Sequence, residues 1–70
     1  MTHEGDQFRT RPLHIIPGRV SWILTGGQLV EPIEHADSRS AVSQAVEFAR
    51  RHGCSVYLHG RDGSCTRITQ

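Results

Sequence analysis

The residues best suited to chemistry lie in one short run near the C-terminus, His59-Gly60-Arg61-Asp62-Gly63. A guanidinium binds phosphate or carboxylate through two parallel hydrogen bonds, and a nearby imidazole can add another contact. Arg61 and His59 therefore form a candidate recognition tip. A purely structural interpretation accounts for the same residues, because Gly60 and Gly63 suit a tight turn and Asp62 can accept a hydrogen bond within it. Both interpretations stay open from the sequence.

Catalysis and metal binding are weakly indicated. Cys65 would lie beside His59, but nucleophilic catalysis also needs a cleft, which a single helix on a sheet does not offer. A small enzyme is therefore the least favoured class, and we expect a non-enzymatic protein. The five His and two Cys are scattered, and the nearest close spacing, His52-Gly53-Cys54, has no second ligand pair of the kind that zinc sites use. We expect neither a metal nor another cofactor.

Nucleic acid is a more serious candidate partner. Tyr57, His59 and Arg67 would share one open face of the sheet, with Arg61 at its tip, and such groups can stack on bases and contact phosphate. The formal net charge is only +1, and the eight basic residues, all Arg, do not form a basic patch in the sequence.

These side chains must be positioned by a small α+β domain of order β-β-β-α-β-β, which we predict as an antiparallel sheet with one helix packed on one face. Alternating and β-branched runs predict strands at residues 13–16, 20–25, 28–33, 54–59 and 64–68. Gly26-Gly27 predicts a two-residue hairpin link between the second and third strands. Apolar residues at helical spacing predict a helix over residues 38–52, capped by Asp37 or Ser38 and ended by Gly53.

The register of the last hairpin can be predicted from its hydrophobic pattern. A loop of Arg61-Asp62-Gly63, with Gly63 left-handed, sets Leu58 opposite Thr66 and puts Val56, Leu58 and Ile68 on one face. A two-residue turn would set Leu58 opposite Arg67 instead. The longer loop is preferred because it places the apolar residues of both strands on the same face. It leaves Tyr57, His59, Cys65 and Arg67 on the other face.

Length and composition limit the remaining possibilities. Seventy residues make one domain at most. Residues 1–11 are polar enough to predict a disordered tail, which leaves one domain over residues 12–70. No apolar run approaches the roughly 20 residues that a membrane span needs, so we expect no membrane partner. The N-terminus lacks a secretory pattern, and we therefore expect a cytoplasmic protein with free thiols.

Several of these features together resemble a known family. They are the run His14-Ile15-Ile16-Pro17, Trp22 opening the next strand, an Ala-rich helix, and the His59-to-Gly63 run after a strand. The chain is in these respects similar to the small bacterial proteins called domain of unknown function 2188, over residues 13–68. It departs from their pattern in having little Lys or Glu around the helix, and Ala36 where a large apolar residue is usual. The resemblance implies a fold but no activity.

The sequence therefore favours an interaction module, with an unidentified protein or a second copy of this chain as the partner. A homodimer through the open sheet face or an edge strand would suit a domain of this size. A nucleic-acid-binding domain is the alternative, with Arg61, His59, Tyr57 and Arg67 as its binding residues.

Overall fold

The computed structural model describes residues 11–68. The predicted disordered tail lies outside the described residues, apart from Arg11. The elements in chain order are β1 (Leu13–Pro17), β2 (Trp22–Gly26), β3 (Ile33–His35), α1 (Ser38–His52), β4 (Val56–His59) and β5 (Cys65–Arg67). The α+β class and the predicted order of elements are confirmed.

Helix α1 begins and ends where the sequence predicts. The Asp37 carboxylate accepts a 2.9 Å hydrogen bond from the Ser40 backbone N–H, which satisfies one of the free donors at the helix start. Gly53 ends the helix at φ 67°, and its N–H donates to the carbonyl of Ala49 at 2.7 Å. Both determinants are local, and this explains why the bounds are readable from the sequence.

The core lies between one face of the helix and one face of the sheet. Ala41, Ala45 and Ala49 form the buried stripe of α1, and their small side chains let the helix backbone approach the strands closely. The largest fully buried side chains come from the sheet and are Leu13, Ile15, Leu24 and Val56. The face of the sheet that carries these residues is called the inner face below.

The sheet has the order β3-β2-β1-β4-β5, so β1 is the middle strand. The prediction of an antiparallel sheet needs one correction, because β1 and β4 are parallel. Two hairpins give β3 the same direction as β1, and the helix then carries the chain back before β4 starts. Strand β4 therefore runs in the direction of β1 and pairs with its free edge.

The third strand was placed wrongly by the sequence. Gly26 and Gly27 do turn the chain, since the Leu29 N–H donates to the Gly26 carbonyl at 3.0 Å. The strand does not start there, because Leu29 packs against the core and Pro32 has no N–H for a ladder. Strand β3 begins at Ile33, which pairs with Leu24. Val30, inside the strand predicted at residues 28–33, instead lies in the loop with 95% of its surface exposed.

Candidate interaction surface

The tip of the β4–β5 hairpin is the three-residue loop that the sequence predicts. Gly60 and Ser64 close it with a 2.9 Å hydrogen bond, and Leu58 lies opposite Thr66. Gly63 has φ 93°, a conformation that favours glycine. The Ser64 N–H donates to the Asp62 carboxylate at 3.0 Å, and this bond lowers the pKa of Asp62. The structural roles predicted for Gly60, Asp62 and Gly63 thus have direct counterparts in the loop.

Arg61 is neither an isolated tip nor a freely solvated side chain. It crosses to the β1–β2 loop and donates a 2.7 Å hydrogen bond to the carbonyl of Gly18. Its guanidinium carbon lies 5.2 Å from the centre of the Trp22 ring, within the range of a cation–π contact. Because β1 and β4 are parallel, the loops that follow them lie at the same end of the sheet. Arg61 therefore ties two loops together.

Replacement of Arg61 by alanine should lower the free energy of unfolding by about 1 kcal/mol, because an exposed cation–π contact and a charged hydrogen bond are lost. The chain should stay folded. Arg61→Lys keeps the charge but not the planar guanidinium group, and it should lower the free energy of unfolding by roughly half as much. Urea unfolding followed by helix circular dichroism measures both. An Arg61→Ala protein as stable as the wild type would show that this contact contributes nothing.

The face of the sheet opposite the helix is not covered by any other described element. It is called the outer face below. Strand alternation and the pairing register place the following side chains on it: His14, Ile16, Ile23, Thr25, Glu34, Tyr57, His59, Cys65 and Arg67. Three of the four predicted binding residues, Tyr57, His59 and Arg67, are therefore together on this face. The fourth, Arg61, is held at the end of the sheet.

Three rings cluster at the centre of the outer face. His14 Nδ1 lies 3.0 Å from His59 Nε2, a hydrogen bond in which one ring donates and the other accepts. The Tyr57 ring stacks on that of His14, with centroids 5.7 Å apart and planes inclined by 22°. Burial, and then the neighbouring His59, lower the pKa of His14. Both effects favour the neutral form of His14 over its imidazolium.

Apolar side chains extend this cluster towards β2. Ile16 and Ile23 lie directly opposite each other on neighbouring strands, and Ile16 leaves 40% of its surface exposed. The centre of the outer face is thus aromatic and aliphatic. The residues His14 and Ile16 were missed by the sequence prediction because they join the site only through the parallel pairing of β1 with β4.

The two edges of the outer face carry opposite charges. Glu34 on β3 accepts a 2.9 Å hydrogen bond from the Ser21 hydroxyl, and Arg67 on β5 donates a 3.1 Å bond to the Ser55 hydroxyl. Both side chains are exposed. Since β3 and β5 are the outermost strands, the acid and the base are separated by the full width of the sheet.

The two thiols lie on opposite sides of the sheet. Cys54 packs against the core, and burial raises the pKa of its thiol. Cys65 is exposed on the outer face, directly opposite His59. Within residues 11–68, no three side chains of the His, Cys, Asp or Glu type are arranged to hold a metal ion. The same part of the chain contains no helix of the length and apolarity that crossing a membrane requires.

Comparison with known proteins adds nothing to these observations. No family model matches the chain, and no curated protein or solved structure is significantly similar to it. The resemblance to domain of unknown function 2188 therefore stays a prediction.

Proposed function

We propose that this protein is a non-enzymatic self-association module, and that two copies pair through their outer faces. The observation that carries the proposal is the arrangement of this face, with an apolar and aromatic centre and opposite charges at its two edges. A second copy presents the same surface, so the contact can be self-complementary, as a two-fold symmetric interface must be.

The charges select one way of pairing. Two sheets packed face to face can be related by a two-fold axis parallel to the strands or perpendicular to them. The perpendicular axis sets Glu34 and Arg67 against their own copies, which is repulsive. The parallel axis sets β3 against the partner's β5, so the edge that carries Glu34 faces the edge that carries Arg67, with the two side chains two residues apart along the strands. The middle strand β1 faces β1 of the partner.

The size of the face indicates a weak dimer. Strands lie about 4.8 Å apart, so five strands give a face of about 24 Å by about 15 Å. This is at the small end of specific interfaces, in the class of transient complexes. We therefore expect association at micromolar concentrations.

Nucleic acid is less well supported as the partner. Among residues 11–68, Arg67 is the one arginine that the strand register places on the outer face, and Arg61 is already bound to Gly18. The cluster of Arg50, Arg51 and His52 lies at the end of the helix, on the other side of the sheet. Arg67, directly opposite Tyr57, thus supplies a single positive charge beside the rings that would stack on bases, which is less than a phosphate-binding surface normally carries. Binding of single-stranded oligonucleotide that weakens steeply with salt would favour this alternative.

Charge exchange between the two edges tests the proposed pairing. Glu34→Arg and Arg67→Glu should each weaken the dimer by about 10-fold, because both edges of each homodimer then carry like charges. An equal mixture of the two variants should form a heterodimer of near wild-type affinity, since both edges regain opposite charges. Sedimentation velocity at low salt measures all three samples. Single variants that associate as tightly as the wild type would rule this pairing out.

A further inference from the structure

The hydrogen bond between His14 and His59 is close to linear. The ring centres are 5.2 Å apart and the two bonded nitrogens 3.0 Å apart, and the difference is about the sum of the two centre-to-atom ring radii. Both nitrogens thus lie near the line that joins the ring centres. Such a pair needs one N–H and one bare nitrogen, so it accommodates a single extra proton at most before the bond is lost.

An extra proton on the His14–His59 pair affects association because of where the pair lies. His14 lies on β1, the middle strand of the sheet. When two outer faces pair about an axis parallel to the strands, β1 faces β1 of the partner, and each His14 comes to lie near its own copy. One proton on each pair would therefore place two like charges opposite each other in a desolvated contact, which is strongly unfavourable.

We infer that the outer face is a pH-sensitive interface, in which protonation of the His14–His59 pairs separates the two copies. This inference rests on the proposed self-association. It adds the regulation of that contact: the dimer forms when the pairs are neutral and dissociates in mildly acidic solution.

The other groups on this face do not offset the charge. Strand β2 contributes only Ile23 and Thr25, neither of which titrates. Helix α1 packs on the inner face and contributes none of its charges. In the part of the chain that the structure describes, the remaining titratable or charged side chains of the outer face are Glu34 on β3, Tyr57 on β4, and Cys65 and Arg67 on β5. Of these, the carboxylate of Glu34 lies two strands from β1, with Ile23 beside it, and Arg67 is itself a cation.

The direction of the pH effect follows from the state of His14. Burial and the neighbouring His59 already lower the pKa of His14 from its usual 6.5 in a single copy, and further burial in a dimer lowers it more. Separated chains therefore bind more protons than the dimer does. Association is strongest where His14 is neutral and weakens as the pH falls through its lowered pKa. With one proton taken up per chain, the dissociation constant rises by up to about 100-fold per pH unit.

Sedimentation velocity of the full chain at about pH 8 and about pH 5.5, on either side of the imidazole range, tests the inference. The wild type should be dimeric at the higher pH and at least about 10-fold more weakly associated at the lower one. The double variant His14→Gln/His59→Gln should associate equally at both. His52→Gln, which changes a histidine at the end of the helix, should behave as the wild type does. Helix circular dichroism at each pH reports whether the chain stays folded.

The outcomes separate this inference from the proposed function. A wild-type dimer of equal affinity at both pH values overturns the inference and leaves self-association standing, whereas a monomer at both overturns both. A double variant that keeps the wild-type pH dependence also overturns the inference. If the double variant does not fold, the His14 ring proton followed by NMR in the wild type decides the question. Its titration midpoint should move to lower pH as protein concentration increases, and an unchanged midpoint would contradict the inference.

Discussion

Replacement of Gly26 by alanine is expected to lower the free energy of unfolding by about 3 kcal/mol. Gly26 has φ 94°, where a side chain costs about 1 to 2 kcal/mol. A Cβ at this position would also lie 2.6 Å from the Pro12 carbonyl oxygen, far inside van der Waals contact. That oxygen accepts a 2.8 Å hydrogen bond from Gly27, so relieving the clash disturbs the bond. In a domain of this size, such a loss leaves much of the chain unfolded.

Gly63 provides a matched control for Gly26. Its φ of 93° is almost the same, but a Cβ there would meet nothing within 4 Å. Gly63→Ala should therefore lower the free energy of unfolding only by the cost of a side chain at positive φ, about 1 kcal/mol. Urea unfolding followed by circular dichroism measures both variants. Equal losses would show that the close approach of Pro12 to Gly26 does not matter for stability.

The parts of the fold that could be predicted from the sequence depend on neighbouring residues. Asp37 and Gly53 mark the helix ends through contacts with residues three or four positions away. The last hairpin has one register that puts Ile68 on the same face as Val56 and Leu58, so its loop length follows from the pattern. Each of these choices is decided within a short segment of chain.

The errors in prediction have a common cause in long-range packing. Gly26-Gly27 signals a turn, but the position at which the chain rejoins the sheet depends on Leu29 packing against the core. Likewise, His14 and His59 are 45 positions apart and meet only because the helix returns β4 to the free edge of β1. Tyr57, His59 and Arg67 could be assigned to one face from their own hairpin. Their neighbour His14 could not be assigned to the site in this way, because it lies on β1.

The second large effect concerns association. Ile16→Glu should weaken the dimer by about 100-fold or more, because β1 faces its own copy and each carboxylate is desolvated opposite another. The fold should tolerate the change, since Ile16 already exposes 40% of its surface. Val30→Glu is the matched control, because Val30 is 95% exposed in the β2–β3 loop and lies off the outer face. It introduces the same charge and should leave the dissociation constant unchanged.

Retention of the dimer in Ile16→Glu would assign the contact to another surface, such as the edge strand β5. Equal weakening in both variants would instead point to a general effect of net charge. Circular dichroism of each variant establishes that only association has changed.

The most direct test of self-association through the outer face is one sedimentation velocity series at about pH 8, with wild type and Ile16→Glu measured over the same micromolar range. The wild type should shift from monomer to dimer as its concentration increases, while Ile16→Glu should keep the monomer coefficient throughout. A wild-type chain that stays monomeric across the range, or a variant that dimerises equally well, would contradict the proposed role of this face.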